Sequence, residues 1–526
     1  MKPAIYPNPT SIQIGEISVA LTGLFMYRDE FAGDASINAF LQDFSRGVVQ
    51  FDDCTGSYRL QIVYPDGRIV AFGDNAGIMR WYIQENGYSS AESEYSHSVN
   101  NYFYTSLADA APNTRTPNYA AIAQFLYFNC IYGAETIFRE VHRSDPGKYY
   151  IVENGHLTEK DKHLKPLEEL EINGDALDKQ MARLAKATAG CDGIACTITG
   201  GTDSRNILAH LLHEGVRPLL DITGADHDVD VRIARQIAER LHMELLWTTD
   251  AIEGDDWIDE AIRAADGMTG VCRIFRLNKK ARELEKQGIS LECGGLAGEL
   301  YKNDFILFDY PFYGGKPNWD RFLSQIIMGY NFPMELCGER VLPEMRCLPE
   351  RLKPWLASHG GRSKYSAYLT AGYEVMQGGA AAVTAMNSRH YIQYTPLMER
   401  PVAAMFCQRD PHSLDNFAYP REKVSSLCPE IKDIRATEGI TFDTRVTARE
   451  AWNYAKSTLR IRLARRIRRN KVRGRVDACF QAGLSSPQCR AAFERCKALG
   501  ILAPEVDGDT IPAPIADRLF ALGSML

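Results

Sequence analysis

The first 155 residues alternate apolar and polar positions in short runs, which is the pattern of β-strands. Pro65-Asp66-Gly67 separates two of these runs, and its turn chemistry predicts a β-hairpin. Helical spacing of apolar residues is confined to Tyr119 to Phe128. The pattern therefore predicts a mainly β first part, with strands at Ile12 to Ala20, Tyr58 to Tyr64, Arg68 to Phe72 and Lys148 to Val152.

From residue 175 onward, short apolar runs alternate with stretches whose apolar residues repeat every three to four positions. Strands that alternate with helices of 10 to 15 residues predict a parallel sheet with helices on both faces. Beyond Tyr301 the pattern is mostly helical. The predicted helices are Ala176 to Thr188, Ser204 to His213 and Val229 to His242, and the predicted strands are Gly193 to Thr199, Leu219 to Thr223 and Glu244 to Thr248.

A polar, charged stretch between Glu153 and Gly174 separates the two patterns and contains Pro166. Such a change of composition is typical of a domain boundary. The chain is therefore predicted to be an α/β protein of two units, residues 1–160 and residues 175–526, the second with a helical C-terminal part.

Composition narrows the functional classes. In 526 residues with a net charge of −7, no apolar run approaches the length of a membrane span. The start, MKPAIYPNPT, lacks the basic and apolar regions of a signal peptide, so a cytoplasmic location is expected. The 13 cysteines include no Cys-x-x-Cys pair, which argues against a disulfide scaffold or a zinc ribbon. The mild acidity gives no reason to expect a dedicated nucleic-acid partner.

The segment from Gly193 to Arg205 reads as a buried strand, a glycine-rich turn and a helix. Glycines let backbone N–H groups approach a phosphate, and the positive end of the following helix points to the same place. Thr199 and Ser204 add hydroxyl donors, and Asp203 is a hard oxygen ligand suited to Mg²⁺ on a polyphosphate. The segment is neither a Walker loop nor a dinucleotide fingerprint. A tight turn without a ligand is the structural alternative.

The string Thr199-Gly200-Gly201-Thr202-Asp203-Ser204 resembles the pyrophosphate loop of the asparagine synthetase superfamily, usually Ser-Gly-Gly-x-Asp-Ser. In that family the loop binds ATP, and AMP and pyrophosphate are formed. The resemblance implies that these six residues bind the ATP phosphates and that Thr223, at the end of the next strand, contacts adenosine. It also implies an adenine nucleotide α-hydrolase-like fold for the second unit.

Two later segments resemble the family but depart from it. The stretch from Gly288 to Tyr301 is similar to the second signature, yet Gly298 stands where the family has its Mg²⁺-binding Asp. Glu299 is therefore the candidate second Mg²⁺ ligand beside Asp203. The segment from Arg435 to Phe442 carries Thr437 where the family has a catalytic lysine, and Arg205 and Lys302 are the candidate substitute cations. The segment Gln393 to Glu399 is similar to a third family motif.

The first unit resembles the glutaminase domain of the same superfamily, an Ntn-like α+β sandwich, through segments near Cys54, Asp74 and Gly133. The active glutaminase uses an N-terminal cysteine whose α-amine acts as the base. Here residue 2 is Lys2 and the first cysteine is Cys54, so no glutaminase activity is expected. β-Lactam synthetases and lasso-peptide cyclases share this loss, but Gly295 replaces the tyrosine base of the β-lactam branch.

The resemblance implies an ATP- and Mg²⁺-dependent, AMP-forming amide synthetase, with Asp203, Glu299 and Arg205 as candidate catalytic residues. A small-molecule or peptide carboxylate would be activated and attacked by ammonia or an amine. A homodimer is one candidate assembly. Two alternatives stay open: a degenerate nucleotide-binding or assembly protein, and another pyrophosphate-loop chemistry such as tRNA modification.

One segment is strongly basic, although the chain as a whole has a net negative charge. Lys456 to Arg475 holds ten Lys and Arg residues and no acid, with Leu459, Leu463 and Ile467 at four-residue spacing. This pattern predicts a basic amphipathic helix. Such a helix could meet RNA, an anionic membrane or an anionic substrate. Most helices of this kind are structural: the basic face is exposed to solvent and the apolar stripe packs on the core. That arrangement is the expectation here.

Overall fold

The computed structural model describes residues 5–31, 33–84, 102–110, 115–249, 257–467 and 478–526. Within these ranges the protein is a mixed α/β structure with one parallel sheet and several antiparallel sheets. The α/β class predicted from the sequence is therefore confirmed.

The first part is built on a six-stranded antiparallel sheet with the strand order β1-β2-β5-β6-β10-β11. Its apolar positions form a core with the helix α1. The described elements are β1 (Ile5–Ile14), β2 (Ile17–Leu24), β3 (Met26–Tyr27), α1 (Gly33–Ser45), β4 (Cys54–Thr55), β5 (Tyr58–Val63), β6 (Ile69–Gly73), β7 (Tyr82–Gln84), β8 (Phe103–Tyr104), α2 (Leu107–Ala110), α3 (Tyr119–Phe128), β9 (Val141–Arg143), β10 (Lys148–Glu153) and β11 (His156–Asp161).

Several predicted elements of this part are present. The β5–β6 hairpin forms as predicted, with Arg59 opposite Gly73 and Val63 opposite Ile69. The predicted helix from Tyr119 to Phe128 is α3 with the same bounds.

Two expectations for this part were wrong. The single strand from Ile12 to Ala20 is a hairpin, because the chain turns at Gly15, whose φ of +60° suits glycine. The alternation continues on both sides of that turn and so hides it. Helical structure is also not confined to Tyr119–Phe128, because α1 (Gly33–Ser45) is a second helix, and the few apolar residues that it buries gave no clear periodic signal. The polar stretch after Glu153 contains β11, an exposed edge strand that pairs with β10 through its backbone. An edge strand needs few apolar side chains, which is why the sequence pattern does not reveal it.

The second part contains a five-stranded sheet in the order β14-β13-β12-β15-β16. All four strand pairs are parallel, so the predicted parallel sheet is confirmed. Its central strand, β12, buries Ala195 and Cys196 completely, as expected of a strand covered on both faces. The elements are α4 (Ala176–Ala187), β12 (Ile194–Thr197), α5 (Thr202–His213), β13 (Leu219–Thr223), α6 (Val229–Leu241), β14 (Leu245–Thr248), α7 (Trp257–Ala265), α8 (Val271–Lys286) and β15 (Leu291–Cys293).

The remaining chain is mostly helical, as predicted, but it also supplies the fifth strand of the parallel sheet. That strand, β16, is only three residues long and was not predicted. The elements are α9 (Trp319–Phe322), α10 (Leu342–Ser358), α11 (Lys364–Asn387), β16 (Ile392–Tyr394), α12 (Arg400–Gln408), α13 (Ala418–Leu427), α14 (Ala448–Ile467), α15 (Ala478–Leu484), α16 (Pro487–Ala498) and α17 (Ala513–Met525).

Polar contacts, one buried and one partly buried, join the first part to the residues that follow β16. The Gly56 N–H donates to Glu399 Oε1 at 2.7 Å, and Arg400 pairs with Asp52 at 3.4 Å. Burial raises the pKa of Glu399 to about 8 in spite of the bond from Gly56. The two sheets are thus held together by specific hydrogen bonds as well as by apolar packing.

In the ranges that the structure describes, every helix is too short or too polar to cross a membrane.

Candidate functional site

The topology of the parallel sheet indicates where a ligand would bind. From β12 the chain moves outward through β13 and β14 on one side, and it later returns to β15 and β16 on the other side. In open parallel sheets, ligands bind beyond the carboxyl ends of the strands at the point where this direction changes. That point lies between β12 and β15. Asp203 follows the first of these strands and Glu299 follows the second.

The loop after β12 has the form predicted from the sequence. Its hydroxyls form a local network: Ser204 Oγ accepts from the Thr199 N–H at 3.0 Å and lies 3.0 Å from Thr199 Oγ1. The Gly201 N–H also donates to Thr199 Oγ1 at 3.2 Å. The helix α5 begins at Thr202, so its positive end faces the loop. The structure therefore brings the predicted loop residues together at one helix terminus.

Two carboxylates accept hydrogen bonds from the N–H groups of this loop. Asp230 Oδ1 accepts from the Gly200 N–H at 2.9 Å. Glu438 Oε1 accepts from both the N–H and the Oγ1 of Thr202 at 3.3 Å. Carboxylate oxygens thus lie where an anion-binding loop would hold phosphate oxygens. Glu438 was not predicted as a site residue, because it is 236 residues away from Thr202 along the chain.

Asp203 lies at the centre of the site and has two strong partners. Its Oδ1 accepts from the hydroxyl of the fully buried Tyr301 at 2.5 Å. Its Oδ2 accepts from Lys302 Nζ at 2.7 Å. Burial works against the charged form of Lys302, but the Asp203 carboxylate outweighs it, and the pKa of Lys302 is raised. Of the two candidate substitute cations, Lys302 is therefore the one placed beside Asp203.

The glycines after β15 allow the close approach of Asp203. A Cβ atom on Gly298 would lie 2.2 Å from Asp203 Cγ, far inside van der Waals contact. A Cβ atom on Gly295 would lie 2.6 Å from both Asp203 C and Ser204 N. Neither position can carry a side chain while Asp203 stays where it is. The observed position of Asp203 therefore requires a glycine at position 298.

Glu299 follows Gly298 in a short 3₁₀ turn, Gly298–Leu300, and is partly buried. Its negative charge acts on the Lys302 ammonium together with the charges of Asp203 and Asp304. The carboxylates of Asp203 and Glu299 thus both act electrostatically on the Lys302 ammonium. Carboxylate oxygens are ligands that Mg²⁺ prefers, and in this structure Asp203 Oδ2 is paired with Lys302.

Arg205 lies beneath the loop rather than in it. The guanidinium is completely buried and donates to the carbonyl oxygens of Ile434 at 2.5 Å and Gly200 at 3.0 Å. It also stacks on Phe442 at 5.1 Å. The Thr437 N–H donates to the Gly200 carbonyl at 2.9 Å, so two contacts fix the same peptide. The side chain of Arg205 joins the loop to residues 434–442 and holds the loop in place.

Thr223 ends β13, next to the loop, and pairs in register with Thr248 of β14. The hydroxyls of both residues are buried and have no hydrogen-bond partner among the described residues. Buried hydroxyls of this kind are expected where a ligand or a water molecule completes the hydrogen bonding. This position suits the adenosine contact predicted for Thr223.

Below the loop, a buried ionic cluster joins three strands of the sheet. Lys280 Nζ lies 2.5 Å from Glu292 Oε1 of β15 and 3.1 Å from Asp221 Oδ1 of β13, and it donates to Thr197 Oγ1 of β12 at 3.0 Å. Burial raises the pKa of Asp221 to about 6. Burial alone would also raise the pKa of Glu292, but Lys280 outweighs it and lowers that pKa. The cluster fixes the spacing of the strands at the point where the sheet changes direction.

The first part shows no activated thiol at the position of its first cysteine. Cys54 lies in β4 and is 2% exposed. Burial raises the pKa of its thiol to about 12, which disfavours the nucleophilic thiolate.

A cavity of about 400 Å³ lies elsewhere, between Phe31, residues 171–173, α4 and Pro401. None of the predicted ATP-binding residues lines it. The candidate site is therefore defined by its loop and charges and not by this cavity.

Within the described ranges, no group of three or more His, Cys, Asp or Glu side chains is arranged to hold a metal ion by itself. A Mg²⁺ ion at Asp203 and Glu299 would take its remaining ligands from phosphate and water. Comparison with known proteins adds no assignment: no family model matches the sequence, and no curated protein is significantly similar to it.

Proposed function

We propose that the protein is an ATP-dependent, AMP-forming carbon–nitrogen ligase of the asparagine synthetase type. The observation that carries this proposal is the loop of residues 199–204 at the change of direction of the parallel sheet, with Asp203 facing the turn after β15. A glycine-rich loop at a helix N-terminus in that place suits a polyphosphate. In this proposal the second part has the pyrophosphate-loop fold and the first part is an Ntn-like domain.

The proposed reaction has two steps. A substrate carboxylate attacks the α-phosphorus of ATP and displaces pyrophosphate, and ammonia or an amine then attacks the acyl-adenylate and displaces AMP. The loop N–H groups and the hydroxyls of Thr199, Thr202 and Ser204 would hold the departing pyrophosphate. Lys302 would supply the cation that is missing at Thr437. Electrostatic groups fixed around developing charge are typically the largest contribution to such catalysis.

The remaining predicted residues have supporting roles in this proposal. Arg205 is a positioning residue, because its nitrogens donate to backbone carbonyls of the loop and its neighbour segment. Thr223 would contact adenosine. The first part would not release ammonia from glutamine, because Cys54 is a buried thiol within a strand.

When bound, Mg²⁺ would neutralise phosphate charge, and Asp203 and Glu299 are the residues that would hold it. The variant Glu299→Gln is expected to raise the Mg²⁺ concentration for half-maximal AMP release about tenfold. Its amide cannot offer the same charge, although the length of the side chain is kept. Glu239→Gln, at an exposed position on α6, is the control. If the variant has an unchanged Mg²⁺ dependence, Glu299 is not a ligand of the metal.

The direct test is ATP–pyrophosphate exchange across a panel of carboxylic acids and peptides. The proposal expects exchange with one class of carboxylate, and AMP release when an amine or ammonia is added. ATP binding without exchange, with AMP never formed, would instead identify a nucleotide-binding protein. Equal affinity for a polyphosphate-free nucleoside would contradict the assignment of the loop.

Glu438 is expected to compete with the triphosphate, because its carboxylate lies at the N–H group that a phosphate would use. The variant Glu438→Gln should therefore bind ATP about tenfold more tightly at low ionic strength, which corresponds to about 1.4 kcal/mol. Equilibrium binding of ATP measures this effect, and the difference should shrink as salt is added. Glu430→Gln, an exposed neighbour, should behave like the natural protein. Weaker ATP binding by Glu438→Gln would contradict the competition.

A further inference from the structure

The helix α14 has one face packed on the protein and an opposite face exposed. The packed face is formed by Glu450, Tyr454 and Thr458, at four-residue spacing. Glu450 pairs with the buried Arg421 at 3.2 Å, and the ring of Tyr454 lies 5.5 Å from that of Tyr310. These contacts fix the orientation of the helix about its own axis.

The opposite face carries large apolar side chains in water. Trp452 is 68% exposed, Leu459 45% and Leu463 54%. On an ideal helix these three residues fall within about 40° of one another, roughly opposite the packed face. They are three of the eight large apolar residues that are exposed in the described part of the chain. The expectation that this stripe packs on the core is therefore wrong for Leu459 and Leu463, because the polar face is the one held by Arg421 and Tyr310. The Ile467 side chain and residues 468–475 of the predicted basic helix lie outside the described part of the chain.

Cations border this apolar stripe. Arg449, Lys456 and Arg460 are all exposed and lie along one side of it. The protein as a whole carries a net charge of −7, so this helix is a local reversal of sign. An apolar stripe of Trp and Leu beside Lys and Arg is the arrangement of helices that lie in the interface of an anionic bilayer.

We propose that α14 docks the protein on an anionic membrane surface, with Trp452, Leu459 and Leu463 inserted between the headgroups. The leucines favour this partner over RNA, because RNA recognition uses phosphate-binding cations and base stacking and would leave aliphatic side chains in water. A second copy of the chain is disfavoured, because pairing the two helices would bring their cations together. The inference does not depend on the proposed ligase activity.

The test is flotation of the full-length protein with vesicles of phosphatidylcholine alone or with about one third phosphatidylserine. Binding to the anionic vesicles only, decreasing as salt is added, is expected. The emission of Trp452 should shift to shorter wavelength on binding, and Trp452→Phe should remove that shift.

Two double variants separate the contributions of charge and insertion. Lys456→Glu with Arg460→Glu should weaken vesicle binding more than tenfold, and Leu459→Ser with Leu463→Ser should weaken it at least tenfold even at low salt. The matched controls are Arg46→Glu and Val48→Ser, at exposed positions on the first part. All these positions are on the surface, so folding should be unaffected. Binding to neutral vesicles alone, no vesicle binding, or binding of RNA or an acidic protein in its place would overturn the proposal.

Discussion

Replacement of Asp203 by asparagine is expected to lower the rate of AMP formation by at least a hundredfold, which is the magnitude observed when one group that stabilises transition-state charge is removed. The carboxylate is held between the Tyr301 hydroxyl and the Lys302 ammonium. The amide of Asn keeps the shape but loses the charge. One of its two ends becomes a donor, so it cannot accept from both partners. Lys302 would lose its counter-charge in a partly buried position.

The measurement combines AMP and pyrophosphate release with equilibrium binding of ATP and Mg²⁺, so that a loss of chemistry can be separated from a loss of affinity. Asp226→Asn is the control, because Asp226 is exposed and pairs with Arg235 on α6. Unfolding of both variants should be compared, since Asp203 also orders the turn after β15. A normal rate of AMP formation by Asp203→Asn would show that the site is wrongly assigned.

Local patterns in the sequence were enough to predict much of the second part. The strand Leu219–Thr223 has its predicted bounds, since its neighbours Arg217 and Gly224 give clear polar and turn signals. The helix α4 begins at the predicted residue, Ala176, after the Asp175 N-cap, and ends at Ala187, one residue before the predicted end. The alternation of such strands and helices was sufficient to predict a parallel sheet. The adjacent glycines Gly200 and Gly201 were sufficient to predict the loop that follows β12.

Interactions between residues far apart in sequence could not be predicted in this way. Glu438 pairs with Thr202, and Lys302 pairs with Asp203. These partners are 236 and 99 residues apart in sequence, so their contacts depend on the tertiary fold. β16 is too short to give a periodic signal, and the exposed stripe of α14 has the same spacing as a buried one. Periodicity identifies the faces of an element, but tertiary packing decides which face is covered.

In the proposed assignment, the two departures from the family pattern are both explained by the geometry around Asp203. Gly298 has no side chain, and the Asp203 side chain fills the space that a Cβ atom would take. Lys302 then pairs with Asp203 and brings a cation to the site, whereas Thr437 is exposed and uses its N–H to hold the loop. In this arrangement the site keeps one carboxylate, that of Asp203, in contact with one cation, the Lys302 ammonium. This arrangement is the reason that we favour a ligase over a protein that only binds nucleotide.

The variant Gly298→Ala tests that geometry, because a Cβ atom at this position would lie 2.2 Å from Asp203 Cγ. Either the Asp203 carboxylate leaves Tyr301 and Lys302, or the turn after β15 shifts. We expect AMP formation to fall at least a hundredfold and the free energy of unfolding to decrease by about 1–3 kcal/mol, as for other overpacked sites. Gly295→Ala would press on the backbone of Asp203 and Ser204 instead, and so cannot be relieved by moving a side chain.

A double-mutant cycle distinguishes this clash from a general intolerance of alanine in the turn. In the Asp203→Ala background the Cγ atom is absent, so Gly298→Ala should cost much less stability there than in the natural protein. The two substitutions should therefore be strongly non-additive, with a coupling free energy of about 1–3 kcal/mol from urea unfolding. Additive effects would mean that residue 298 does not contact the Asp203 carboxylate in solution. The steric reason for a glycine at position 298 would then fail, and with it the proposal that Glu299 takes the place of an aspartate there.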